Sequence, residues 1–241
     1  MKVKYKRILL KMSGEVFKGK LQSGIDYSVV TDFAKRIKKI HDTGIEIGIV
    51  IGGGNIWRYR DNVKKDKDGY ELDRVTSDTL GMIATNMNAL AFEAVLDALK
   101  VPVKALTTFS CGAIEAYSIR KGLEYLKKGC VVIFGGGTGK PYFTTDSGAA
   151  MRATEMKCDV LMKATKVDYV YDRDPMKYKT AKKFEKLTYD QVLDQELDVM
   201  DMTCASICKK GKLPMLVFNL NKKGLLEKAV RGDKVGTIIL P

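Results

Sequence analysis

The chain reads as an α/β protein with a mainly parallel sheet covered by helices. Strand-length apolar runs alternate with segments of helical period almost throughout, and short connections join them. Glycines gather just after several of the strands, at the ends where open α/β sheets collect ligands. No internal repeat, low-complexity linker or composition shift divides the 241 residues, so one domain over 1–241 is expected.

The elements follow in order. "KRILLKM" (6–12) is a buried strand. "SVVTDFAKRIKKIHDTG" places Val29, Phe33, Ile37 and Ile40 on one helical face, with Gly44 as the stop. "IEIGIVI" (45–51) is the next strand and runs into Gly52, Gly53 and Gly54. The polar stretch 61–73 reads as an exposed excursion. A long helix from about Ser77 to Leu99 carries Leu80, Ile83, Met87, Leu90, Ala94 and Ala98 on one face. Then come strand 103–108, helix 118–128, strand 130–134, helix 147–158 and strand 160–164. Helices near 188–195 and 204–210, strand "MLVFNL", a short helix 224–230 and strand "TIIL" complete the chain.

Composition narrows the function. A 45% hydrophobic and 29% charged chain is ordinary for a soluble globular protein. Lys11 interrupts the first apolar run after three residues, no signal peptide is evident, and no apolar run approaches a membrane span. Five scattered cysteines point to reduced thiols in a cytoplasm, and a single histidine argues against structural zinc. The net charge of +13 is spread evenly: residues 1–120 hold 20 Lys/Arg against 14 Asp/Glu, and 121–241 hold 22 against 15. Without a basic tail, attraction for anionic small molecules is the better expectation than nucleic-acid binding.

The stretch "FGGGTGKPYFTTD" (134–146) begins like a phosphate cradle. A Walker A loop would need glycine at Phe134 and Ser/Thr at Pro141, so it is not one. Three glycine turns do stand at strand ends, however: Ser13-Gly14, Gly52–Gly54 and Gly135–Gly137. One such turn is ordinary βα geometry, but three together favour a phosphate-rich ligand held by backbone N–H groups and helix dipoles. Phosphoryl transfer also needs cations and an organising carboxylate. Lys11 ends the first strand, Arg58 follows the second turn, and Asp146 and Asp78 stand at helix starts. The plain alternatives are a snorkelling lysine for Lys11 and N-capping for both aspartates.

Together, "KRILLKMSGE", "VIGGGNIWR", "RVTSDTLGMIATNMNALA", "GTGKPYFTTDSGAAMRA", "MKATKVDYVYDRDP", "KLTYDQVL" and "VMD" resemble the bacterial UMP kinases of the amino acid kinase superfamily. The resemblance runs from about Lys6 to Pro241. It implies a three-layer α/β/α sandwich, a homohexamer, and conversion of UMP and MgATP to UDP and ADP, with Mg2+ carried by ATP. It implies ATP contacts at Lys11, Met12, Ser13, Gly14, Gly54 and Arg58, and at Thr165, Tyr171 and Asp174 on the adenine and ribose side. It places UMP against Gly53, Asp78 and the loop Thr138, Gly139, Lys140, Pro141, Tyr142, Phe143, Thr144 and Thr145. Lys11, Arg58 and Asp146 carry the catalytic roles. Activation by GTP and inhibition by UTP are further implications.

Thr79, Lys140 and Gly148 depart from the pattern of relatives, and "GKLQSG" (19–24) matches it poorly. A superfamily kinase for another acid and a nucleic-acid-binding regulator are the alternative readings. "FTTD" after "GTGKP" argues against the first, and salt-dependent DNA binding would reveal the second.

Overall fold

The computed structural model describes residues 3–59 and 69–241. Strand β1 (Arg7–Met12) lies near the centre of a nine-stranded sheet, parallel to β2 (Glu46–Ile51) on one side and β6 (Val160–Thr165) on the other. Ile8, Leu9, Leu10 and Met12 are wholly buried, as expected of a parallel strand covered on both faces. Outward from β2 come β5 (Val131–Gly135), β3 (Val103–Thr107) and the short β4 (Glu115–Ala116). Outward from β6 come β10 (Met215–Asn219), β11 (Thr237–Leu240) and β9 (Lys186–Thr188). Only β10 and β11 pair antiparallel within this sheet. A separate ribbon pairs β7 (Val170–Tyr171) with β8 (Lys183–Phe184).

Each face of the sheet carries its own core. On one, α1 (Glu15–Lys18), α2 (Tyr27–His41), α3 (Arg74–Ala98) and α8 (Leu225–Arg231) bury Phe17, Ile37, Phe92 and Leu226. On the other, α4 (Ile119–Lys127), α5 (Thr145–Glu155), α6 (Tyr189–Asp194) and α7 (Met202–Lys210) bury Leu126, Ala149, Tyr189 and Cys204. This is the expected three-layer α/β arrangement.

Several boundaries differ from the sequence expectation for local physical reasons. Helix α3 starts at Arg74, because the Asp73 carboxylate accepts from Thr76 N at 2.9 Å and closes the N-terminus there. Asp78 therefore lies inside the helix and is no cap. Helix α5 starts at Thr145 because Thr144 caps it, which releases Asp146 from that duty. The elements β4, β7, β8, β9 and α1 span two to four residues each, too short to show a period. Of the expected excursion over 61–73, residues 61–68 lie outside the described residues, and Tyr70 is exposed. Helix α3 is long and apolar enough by composition to cross a bilayer, contrary to the expectation that no run approaches this. Here it is a core helix: Ala89, Phe92 and Leu96 are buried against the sheet layer.

Candidate active site

Register brings two lysines together. Lys11 on β1 is the cross-strand partner of Lys163 on β6, so both ammonium groups leave the same face of the sheet. Like charges so placed repel. Asp146, in the first turn of α5, resolves this: one carboxylate oxygen lies 2.5 Å from Lys11 Nζ and the other pairs with Lys163 Nζ. Lys163 also donates to the Val199 carbonyl. Burial works to raise the Asp146 pKa, but Lys11 and Lys163 outweigh it and hold the carboxyl below its ordinary range. The helix dipole at the start of α5 acts in the same direction.

The glycine turns are fitted to one another. A side chain on Gly14 would meet the Gly52 carbonyl oxygen at 2.2 Å, so the first two turns touch backbone to backbone. A side chain on Gly53 would strike the Gly81 carbonyl of α3 at 2.6 Å. Beneath them, buried Asn55 and Asn88 exchange two side-chain hydrogen bonds of 2.9 and 2.8 Å, and Asn88 also donates to the Gly52 carbonyl at 2.8 Å. The third turn is tied to α3 as well, since Gly136 N donates to Thr85 Oγ1 at 2.8 Å.

Around this frame the remaining charged groups come in pairs. Arg58 donates from Nε to the Gly54 carbonyl at 2.8 Å, and its guanidinium lies 2.5 Å from Glu15. Asp78 accepts from Arg74 Nε at 2.9 Å and from Tyr142 N at 2.8 Å. The second bond holds Tyr142 in a left-handed conformation, φ 68°, that a tyrosine seldom adopts unaided.

Three cavities join along the carboxyl ends of the strands. The first is lined by Gly53, Trp57, Asp78, Thr85, Thr138 and Phe143, among others. The central one, about 880 Å³, holds Lys11, Ser13, Arg58, Arg74, Lys163 and Thr165. It shares Asp78, Phe143, Thr144 and Thr145 with the first cavity. The third, about 600 Å³, shares Lys163 and Thr165 with it and adds Tyr171, Asp174 and Leu197.

Most of the residues expected from the sequence therefore line one continuous groove. Lys140 lines the first cavity, while its loop neighbours Gly139, Pro141 and Tyr142 shape the turn outside it. Met12 departs from expectation: its side chain is wholly buried, and its carbonyl accepts from Gly52 N at 2.9 Å. Gly14 is buried beside it, and Gly54 lies under the Arg58 side chain. Thr79 turns away and donates to the Val75 carbonyl at 2.8 Å.

Four residues of the site were not anticipated. Lys163 sits within "VLMKA", where the strand reading absorbed it; a charge inside an otherwise apolar central strand was the available signal. Asp201 caps α7 through Cys204 N at 2.8 Å, accepts from Ser147 Oγ at 2.6 Å and also binds the Thr144 hydroxyl. It thereby locks the start of α5, and with it Asp146. Glu15 and Arg74 stood in quoted motifs without a role.

Comparison with known proteins agrees with this architecture. Residues 6–219 match the amino acid kinase family, and the chain belongs to it. Among solved structures, a UMP kinase from Bacillus anthracis is 35% identical, with a TM-score of 0.92 over 98% of this chain and 96% of that one. A UMP kinase from Ureaplasma parvum is 36% identical, with a TM-score of 0.90 over 98% of this chain and 99% of that one.

Proposed function

We propose that the protein transfers the γ-phosphoryl group of ATP to UMP, giving UDP and ADP. The observation that carries this reading is the Lys11–Asp146–Lys163 cluster at the central cavity. That cavity meets the one between α3 and the 138–145 loop on one side and the one bounded by Tyr171 and Asp174 on the other. In this reading UMP occupies the cavity between α3 and the 138–145 loop, ATP occupies the cavity bounded by Tyr171 and Asp174, and the phosphates meet in between. Likeness to two UMP kinases over nearly the whole chain supports the choice of acceptor.

The acceptor phosphate is already anionic at pH 7, so no general base is required. The obstacle is repulsion between two anions, and the chain's task is charge and alignment. Lys11 and Lys163 stabilise charge on the transferring group, Arg58 grips phosphate, and Asp146 keeps the two ammonium groups apart and aimed. Asp78 holds the ribose of UMP, and Thr138–Thr145 read the uracil edge. Cytosine would present an amino donor where uracil has a carbonyl, so strong preference for UMP over CMP is expected.

Among the described residues no cluster of three acidic, His or Cys side chains could hold a metal unaided. Both Asp146 oxygens are already engaged by lysines, so an ion that arrives on ATP would be carried by the phosphates themselves. Bound there, Mg2+ would supply positive charge against the β- and γ-phosphates.

The reading includes one domain over 1–241, supported by a single sheet that runs from Arg7 to Leu240. It includes a homohexamer, supported by Ile83 and Met87 on α3, which are 43% and 49% exposed. GTP activation, UTP inhibition and a cytoplasmic location complete it, the last supported by five unpaired cysteines. A coupled ADP-release assay with UMP, CMP and aspartate, with and without GTP, tests the whole. Turnover with aspartate, or equal kcat/KM for CMP and UMP, would overturn the acceptor assignment.

A further inference from the structure

Two cations lining the central cavity, Arg74 and Lys166, are explained by neither the cluster nor the glycine turns, and of these Arg74 has the fixed geometry. It opens α3, and its Nε lies 2.9 Å from both oxygens of Asp78. Its guanidinium carbon stands 4.4 Å from the centre of the Tyr59 ring and 5.9 Å from that of Tyr142. The fork is thus fixed at one nitrogen and flanked by aromatic faces. Its Nη1 and Nη2 donate no hydrogen bond to the described residues. The side chain lines the same cavity as Lys11 and Arg58.

An ordinary i,i+4 ion pair on a helix faces solvent and is worth a few tenths of a kcal/mol. This one faces the space where phosphates would meet. A planar guanidinium with four free N–H donors, already positioned, matches a phosphate dianion. We propose that Arg74 binds the phosphate of the nucleoside monophosphate through Nη1 and Nη2, while its Nε keeps Asp78 turned toward the ribose. The acceptor is favoured over the donor because Arg74 is tied to Asp78 and borders the Tyr142 loop, both on the acceptor side. This inference rests on the proposed function and adds a second specificity contact to it.

Trp57, the only tryptophan, lines the acceptor cavity and reports UMP binding by its fluorescence. The dissociation constant for UMP is measured for the parent, Arg74→Gln, Asp78→Asn and the double variant, together with KM for ATP. Loss of charge-assisted bonds to phosphate is expected to weaken UMP binding in Arg74→Gln by roughly 10- to 100-fold, with KM for ATP within about threefold. The double variant is expected to bind UMP at least about tenfold more weakly than Asp78→Asn, because the two contacts are separate. Arg74→Lys, which keeps charge but loses the fork, is expected to fall between parent and Arg74→Gln. A double variant equal to Asp78→Asn would overturn the proposal, reducing Arg74 to a support for Asp78. An unchanged Arg74→Gln, or a rise in KM for ATP as large as the loss of UMP affinity, would overturn it too. A parent that binds no UMP would bring down the functional reading itself, a result distinct from these.

Discussion

The two walls of the groove, acceptor and donor sides in the proposed reading, are built differently. The acceptor wall belongs to the body of the fold: α3 meets two glycine turns through a buried asparagine pair and a Thr85–Gly136 bond. The donor wall adds to β6 and β10 the β7–β8 ribbon and its turns, which form no ladder with the nine-stranded sheet. Thr237 ties them to it: its hydroxyl accepts from Val170 N at 2.8 Å and donates to the Phe184 carbonyl. The outer side chains of this wall are open: Met176 is 86% exposed, and the Asp174 carboxylate is held by near neighbours in sequence, accepting from Met176 N at 2.9 Å and lying 4.0 Å from Lys177 Nζ. Polar groups fixed in advance discriminate between ligands, because a wrong ligand strands them. A wall of exposed side chains selects less strongly. The acceptor side is therefore where this enzyme's specificity is expected to reside.

The largest effect is expected where the walls meet. Lys11→Ala removes one preorganised cation from the junction and should lower kcat on the order of 100-fold. It also leaves buried Asp146 with Lys163 as its remaining cation, so the melting temperature should fall while the fold is kept. Turnover within a few-fold of the parent would take Lys11 out of the mechanism. Next comes the acceptor wall's foundation. Asn88→Ala leaves Asn55 and the Gly52 carbonyl without their buried partner, and should cost roughly 1–3 kcal/mol in chemical denaturation while also raising KM for UMP. A cost below about 0.5 kcal/mol would show that the pair does not brace the wall.

Asp78→Asn should weaken UMP binding about tenfold and leave KM for ATP unchanged, since the proposed role of Asp78 is a single ribose contact. Helix α3 keeps its Asp73 cap in this variant. Equal changes for both nucleotides would erase the distinction between the walls. Asp174→Asn should give the smallest change, within about threefold in KM for ATP and none for UMP, since an exposed polar contact contributes little. A tenfold rise would show the donor wall to be as demanding as its opposite.

Acidity offers a separate check on the junction. The Asp146 pKa is lowered in the folded protein, so its stabilising contribution is complete above the ordinary carboxylate pKa of about 3.9 and fades as pH falls through the lower folded value. The stability difference between parent and Asp146→Asn should be constant above about pH 5 and shrink below about pH 4. A difference that grows toward low pH would contradict the pairing with Lys11 and Lys163.

The sequence made the interior strands legible because strands such as β1, β2 and β5 are short, mostly apolar runs between turn residues. It also marked the glycine turns and most of the groove. Cap assignments failed where several capping residues crowd together: Asp73, Thr76, Ser77 and Asp78 lie within six positions, and only backbone geometry selects Asp73. Thr144 displaced Asp146 for the same reason. Lys163 could not be read as a partner of Lys11, because strand order sets their adjacency and nothing local to either residue records it. The ribbon β7–β8 rests on two-residue strands, below any periodic signal.

The contact between Gly14 and Gly52 carries an evolutionary consequence. Gly14 cannot acquire even a methyl group unless the Gly52 carbonyl, 2.2 Å away, retreats, whereas a methyl on Gly52 would press on Gly14 N at 3.3 Å. Drift at Gly14 is screened by a segment 38 residues away in the chain, and compensation demands a backbone shift at Gly52 beside a buried amide pair. Descendants of this sequence should thus vary their donor-side ribbon freely long before they alter either turn, and new acceptors are expected to arise through changes around the Tyr142 loop.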